Sequence, residues 1–335
     1  EYRYQVFGFR AIIERNDNTS RLLSSEGNNN ADGNGTRARW GTVSGPTEAG
    51  TSGALFMTHP SNYNFPEQIR IWPTGMNQGK ENVFFNFNPA MYPPRVEVKT
   101  SSELERKKLL LYTKNGEGYV HDNIPYSIKA IQKLAVENGF EVVPSEDPDQ
   151  FTAENLEQYD ALIFSNTNND VFDTPEQEQA FQDYIQSGGR FVGIHSACGS
   201  ERDWDWFAQM LGGRFHRHPP RQDFDVIVLD KTHPSTHFLP DVWSVKDDEC
   251  YYLKHLNPDN HVLLAADLNT VEDEKREDYP ANYFGDQFPL AWCHEFDGGR
   301  QWYTALGHRP EHYSDPTFMK HILGGIIWVL SDEAP

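Results

Sequence analysis

One stretch constrains this chain more than any other: Gly188 to Pro220, GGRFVGIHSACGSERDWDWFAQMLGGRFHRHPP, where a short apolar run opens directly into imidazoles, indoles and carboxylates. The breaker pair Gly188-Gly189 ends a helix, and Phe191, Val192, Gly193 and Ile194 then read as a fully buried strand. His195 and Ser196 stand at its carboxyl end. In open parallel sheets that edge faces the ligand crevice, so polar residues there point to function, with a satisfied interior histidine as the alternative.

The grammar on either side supports such a sheet. Leu109 to Tyr112 is a buried strand, after which Asp122 or Asn123 can cap a helix with Pro125 in its first turn and Ile128, Ile131 and Leu134 on its inner face, stopped by Gly139. Phe140 to Val143 and Ala161 to Phe164 are two further strands. Thr174-Pro175-Glu176-Gln177 is a capping box opening a helix that buries Ala180, Phe181, Tyr184 and Ile185. Asp225 to Leu229, His261 to Ala265, Leu290 to Glu295 and Gln301 to Ala305 supply more strands, and Pro316 to Leu330 a last helix. Strands alternating with helices imply right-handed crossovers and a doubly wound parallel α/β sheet covered on both faces.

Before residue 100 the pattern differs. Strand-like pieces at Tyr2 to Glu14, Gly53 to Thr58, Ile69 to Trp72 and Arg95 to Val98 alternate with Asn, Gly and Pro clusters, which suits an antiparallel module over residues 1–99. Ser101 to Lys108 is a charged connector, with the α/β domain running from 108 to 335. Charge divides in the same place. Residues 1–107 hold 12 Lys+Arg against 11 Asp+Glu, leaving 17 against 39 from the totals of 29 and 50, so the acidity lies wholly in the second part. Without a basic stripe, neither nucleic acid nor an anionic membrane is an expected partner. No apolar run reaches membrane-spanning length, and the chain begins at Glu1 rather than Met, as a processed protein or a piece of a longer one would. Cys198, Cys250 and Cys293 have no metal spacing and an odd count, and read as inert buried thiols.

Twelve of the thirteen histidines follow residue 108, several at strand ends or in loops: His121 after the first strand, His195 after the fourth, His216 and His218 after the next helix, and His308 after the last strand. Imidazole passes protons near neutral pH. Glu249 follows a strand and precedes Tyr251-Tyr252, whereas Asp247 reads as a solvated turn. His216-x-His218 has metal spacing in an extended segment, and with His195 or Glu249 as third ligand it could hold Zn²⁺ or Mn²⁺; a solvated or hydroxyl-binding loop is the alternative. Of Trp204 and Trp206, Trp204 is placed at a sugar-stacking position and Trp206 in the core; Arg309 is a hydroxyl or carboxylate ligand or a surface ion pair. His233, Tyr303 and Trp292 read as structural, and His59 and Trp72 as core or loop residues.

The segments YTKNGEGYVHDNIP (112–125), GGRFVGIHSA (188–197), WDWFAQMLGGRFHRHPP (204–220), THPSTHFLP (232–240), DDECYY (247–252), PLAWCHEFDGGRQWYTALGH (289–308) and YSDPTFMKHILGGIIW (313–328) resemble the ThuA family, in the family's order, across nearly all of residues 108–332. The resemblance implies a flavodoxin-like fold related to class I glutamine amidotransferases and a role in sugar metabolism, named for trehalose utilisation. Because members often accompany sugar dehydrogenases, it suggests work on a glycoside or its oxidised, 3-keto derivative, with a small carbohydrate as partner. On that reading His195, His121, Glu249 and His308 are catalytic, and Ser196, Trp204, His218 and Arg309 bind substrate. A metal-dependent hydrolase and a non-catalytic carbohydrate-binding scaffold are the alternatives. RLLSSEG, RARWGTVSGP and FMTHPSNYNFP resemble the C-terminal half of the PmoA-like family, which implies a partial β-sandwich completed by further N-terminal chain. The resemblance fits a soluble bacterial protein of the periplasm or cytoplasm.

Amidotransfer is excluded by the residues themselves. An amide is attacked by a thiolate at the strand-to-helix elbow, and here the elbow Gly193-Ile194-His195-Ser196-Ala197 carries an imidazole instead. Cys198 lies three residues on, and His294-Glu295, adjacent on a strand, point to opposite faces. Ser196 lacks a G-x-S-x-G context.

Overall fold

The computed structural model describes residues 104, 106–279 and 284–331 in full and, before them, the backbones of six strands. The chain divides into two compact units, Glu1–Tyr92 and Pro93–Pro335.

The first unit holds β1 (Tyr2–Val6), β2 (Phe9–Arg15), β3 (Thr19–Ser24), β4 (Gly53–Met57), β5 (Gln68–Pro73) and β6 (Val83–Asn86). All pairings among its described strands are antiparallel: β1 with β4, and β3-β2-β5-β6 as a second sheet. Trp72 lies in β5, while His59 and Arg95 to Val98 fall outside the described residues. Thr19–Ser24 and Val83–Asn86 are strands that sequence periodicity passes over, being too short to alternate visibly.

The second unit is built on one nine-stranded sheet. Its strands are β7 (Lys108–Tyr112), β8 (Glu141–Ser145), β9 (Ala161–Ser165), β10 (Arg190–Ile194), β12 (Gln222–Val228), β13 (Val242–Asp248), β15 (His261–Asp267), β16 (Gln287–Phe296) and β17 (Gly299–Thr304). A separate ribbon pairs β11 (Arg214–Arg217) with β14 (Tyr252–Lys254). The core β8-β7-β9-β10-β17 is parallel throughout, and its order (second, first, third, fourth, fifth) is that of a flavodoxin-like doubly wound sheet. From β17 outward, β16, β15, β12 and β13 extend it antiparallel. The apolar runs Leu109–Tyr112, Ala161–Phe164 and Phe191–Ile194 are buried on both faces, except that Gly193 has no side chain to bury.

The helices α1 (Ile124–Asn138), α2 (Ala153–Leu156), α3 (Pro175–Gln186), α4 (Asp205–Leu211) and α5 (Pro316–Leu330) cover this sheet. Trp302 and Tyr303 alternate on β17 and so mark its two faces. A Cβ at Gly325 of α5 would strike the Trp302 ring, and one at Gly193 would meet Tyr303 and then Leu211 of α4, which places α5 and α4 on opposite sides. Pro125 sits in the first turn of α1, and Gly139 ends it at φ 81°. Asn123 is its N-cap but makes no side-chain cap; Ser127, more than Ile128, is buried beneath the helix, bonded to Ser165 Oγ at 2.8 Å. No helix among the described residues is long and apolar enough to cross a membrane.

Candidate active site

Five chain segments leaving carboxyl ends of strands supply the site. His121 lies beyond β7, Asn168 beyond β9, His195 directly after β10, His308 after β17, and Glu249 after the antiparallel strand β13. The gap between β7 and β9 is where the chain reverses its direction of winding, the position at which sheets of this kind leave a crevice.

His195 opens a one-turn 3₁₀ segment, His195–Gly199, that is buried throughout, and its φ is +53°. Left-handed backbone is uncommon outside glycine, and here it turns the imidazole out of the strand direction. His195 Nδ1 is 2.8 Å from the carbonyl oxygen of Ala305, which can only accept, so Nδ1 carries the proton and the Nε2 lone pair faces the other way. The Tyr251 hydroxyl lies 2.9 Å from that Nε2 and stacks its ring on the imidazole at 4.4 Å.

Around this nitrogen stand three further groups. His308 Nδ1 is 3.3 Å from His195 Nε2 and 3.1 Å from Glu249 Oε2; Glu249 Oε2 is itself 3.7 Å from His195 Nε2. His121 packs edge-on to His195 at 4.8 Å, with its Nδ1 3.2 Å from Ser196 Oγ. One donor atom from each of His121, His195, Glu249 and His308 lies within 4.8 Å of the others. His218 Nε2 stands 3.5 Å from Glu249 Oε1.

Burial sets the protonation states. It pushes the His121 imidazole down to about 4, helped by the neighbouring His308, and drives His195 well below its ordinary value, helped by His121. For Glu249 burial works upward, but the hydrogen bond from His308 and the charges of His218 and His308 outweigh it and hold the carboxyl below its usual range. His121 and His195 are thus held neutral near the ionised Glu249 carboxylate, a set that can accept protons or donate electron pairs.

His121, Glu249, His308 and His218 line a cavity of about 350 Å³, while His195 is fully buried and off its wall. Ser196 and His218 belong to its wall, as do Tyr119, Phe215 and Tyr251, which offer aromatic faces. Arg202 completes the polar side: its Nε donates to the Gly199 carbonyl at 3.0 Å, its guanidinium bonds Asn168 Oδ1 at 3.0 Å, and it lies over the Phe215 ring. Beneath the site, Asp248 accepts from the backbone N–H groups of Gly307, His308 and Glu249 at 2.9 to 3.0 Å, which fixes where His308 and Glu249 begin. The Asn123 amide nitrogen lies 2.8 and 2.7 Å from the carbonyl oxygens of Gly307 and His308, so the expected helix cap instead tethers the His308 loop.

Three expected site residues stand elsewhere. His216 is exposed beside Tyr279, because the β11–β14 register shifts between Phe215 and Arg217 and breaks the alternation that would have paired it with His218. Trp204 is the N-cap of α4 and stacks on Trp206 at 5.0 Å within the aromatic layer of Phe172, Phe181 and Phe207, off the cavity wall. Arg309 pairs with Asp247 and Glu311, both at 3.2 Å. Asp247 is not the expected solvated turn: it lies within β13, half-buried and paired with Arg221 and Arg309, whereas Tyr303, Trp292 and His233 are buried as expected. Cys198 lies 3.5 Å from the His195 carbonyl, and burial pushes its thiol up to about 12, so it supplies no thiolate.

Residues 108–329 match the family model described as ThuA, trehalose utilisation, and residues 1–107 match a family of unknown function (DUF6807). A solved structure from Bacteroides uniformis, described as ThuA-like, is 25% identical at a TM-score of 0.55, covering 72% of this chain and 96% of its own. Another from Parabacteroides merdae, described in the same words, is 19% identical at 0.53, covering 68% and 91%, a likeness of fold. No curated protein matches the chain.

Proposed function

Because this chain belongs to the ThuA (trehalose utilisation) family over residues 108–329, a membership that suggests a carbohydrate-related role, we propose that it is an enzyme acting on a glycoside or its 3-keto derivative by proton transfer in the cavity beside His195. The observation that carries this reading is the convergence of His121, His195, Glu249 and His308 within 4.8 Å, with His121, Glu249 and His308 on the cavity wall and His195 fully buried next to them.

The chemistry follows from the groups. In a 3-keto sugar the hydrogen on the carbon next to the carbonyl is acidic, and its removal calls for a base that is unprotonated at neutral pH, with donors near the carbonyl oxygen. His121 and His195 are held neutral, and the Tyr251 hydroxyl and the Arg202 guanidinium are donors on the cavity wall that His121 lines. Elimination then needs a proton returned to the leaving glycosidic oxygen, and Glu249 with His308 or His218 provides exchangeable sites 3.1 to 3.5 Å apart. The cavity suits one sugar ring, being near the small end of the roughly 300–1,000 Å³ typical of ligand sites. The exposed Tyr119 ring on this wall suits the C–H face of such a sugar.

A sugar-binding module without turnover would need only that aromatic face. Burying a carboxylate and three imidazoles is costly, and binding alone gives no reason to bear that cost. Purified protein incubated with trehalose, with another disaccharide and with their 3-keto forms, and followed by NMR, tests the proposal. New products from a keto form support it, whereas saturable binding of every sugar without product would replace it by the binding role.

A further inference from the structure

The four converging donors have the spacing of ligands around one ion. Atoms each about 2.1 Å from a shared metal lie roughly 3.0 Å apart at right angles and roughly 3.4 Å apart at tetrahedral angles. The separations between His195 Nε2, His308 Nδ1 and Glu249 Oε2 are 3.1, 3.3 and 3.7 Å, with His121 completing the set inside 4.8 Å.

Electron-pair counting points the same way. With its proton held on Nδ1 by Ala305, His195 has one lone pair on Nε2, yet both the Tyr251 hydroxyl and His308 Nδ1 approach it, and a carboxylate oxygen stands alongside. A cation takes that lone pair together with those of His308 and Glu249, and leaves the Tyr251 hydroxyl free to donate elsewhere. The supporting contacts are those that orient ligating imidazoles: the second nitrogen of His195 meets a carbonyl, and that of His121 a hydroxyl.

We propose that His121, His195, Glu249 and His308 bind one divalent transition-metal ion, with its open positions toward the cavity. Three nitrogens and one oxygen suit Zn²⁺, Mn²⁺, Fe²⁺ or Co²⁺ rather than Mg²⁺ or Ca²⁺. The ion's purpose, though not its binding, rests on the carbohydrate reading: it would hold the carbonyl and an adjacent hydroxyl oxygen of a keto sugar and take up charge that develops there. His195 then acts as a ligand, and His218, beside Glu249, is the nearest imidazole left to carry the proton.

The test is metal content and affinity of the full chain. After stripping with chelator and titration with Zn²⁺, Mn²⁺, Fe²⁺ and Co²⁺, elemental analysis and calorimetry should show one ion per chain for at least one of them, with a rise in Tm. His121→Ala and His308→Ala should each weaken that binding tenfold or more, Glu249→Gln should do likewise, and His216→Ala should leave it unchanged. Absence of stoichiometric binding of all four ions, or equal affinity in the His121 and His308 variants, would overturn the site. Turnover of a keto sugar by fully stripped protein would remove the ion from the chemistry while sparing the carbohydrate reading. Tight metal binding without turnover of any sugar would do the reverse.

Discussion

Two groups of histidines in the α/β unit use the same side chain to opposite ends. His121, His308 and His218 line a cavity beside an ionised carboxylate, and the buried His195 turns its Nε2 toward that carboxylate. His233, His261 and His321 are spent on the fold: His233 Nδ1 meets Ser235 Oγ at 2.8 Å, His261 Nε2 meets Asp230 at 2.9 Å, and His321 bridges the Ser235 carbonyl and Thr304 Oγ1. Burial lowers His195 and His233 alike, so a depressed imidazole does not by itself mark a site. What separates the groups is whether the lone pair left over faces that cavity or its carboxylate.

Breaking one member of each group tests that distinction. The largest effect is expected at Glu249→Gln, which keeps the shape and removes the charge between His308 and His218: turnover should fall by about 10² to 10⁴ with the Tm of the metal-stripped protein nearly unchanged, as read by steady-state assay and by thermal melts in chelator. His321→Ala should do the converse. It leaves a cavity and unpairs Ser235 and Thr304, costing about 2–4 kcal/mol in denaturant unfolding with turnover per folded molecule retained. A large loss of turnover at 321, or a large loss of stability at 249, would erase the contrast.

A smaller effect comes from pH. Burial pushes His294 and His321 down to about 4 in the folded protein, against about 6.5 when unfolded. The unfolded chain therefore binds more protons between these values, so stability is complete above about 6.5, falls on acidification and levels off below about 4. Thermal melts of the wild type and His321→Asn across this window should converge as pH falls; parallel curves would assign the acid sensitivity elsewhere.

Much of this arrangement is legible in the sequence, for reasons that differ by residue. His195 is visible because an unbroken apolar strand between Gly188-Gly189 and a polar residue fixes both its burial and its edge of the sheet. The parallel core follows from its alternation of strands and helices, whereas nothing local announces that β16, β15, β12 and β13 run antiparallel beyond it. Asp248 is hidden because its partners lie about sixty residues away, on backbone N–H groups. His216 misleads because a bulge changes which face it takes, and Trp204 because it caps α4 instead of lying within it. Asn168 and Arg202 were findable in principle, as polar residues following β9 and β10, but composition alone does not rank them above their neighbours.

The most direct measurement of the account is hydrogen exchange on a 3-keto disaccharide in D₂O, followed by NMR, with wild-type protein and with His195→Ala of matched Tm. Loss of the signal of the hydrogen next to the carbonyl with the wild type, and its persistence with the variant, is the predicted result. Exchange or product formation at an undiminished rate in the variant would place the chemistry outside the cluster that contains His195.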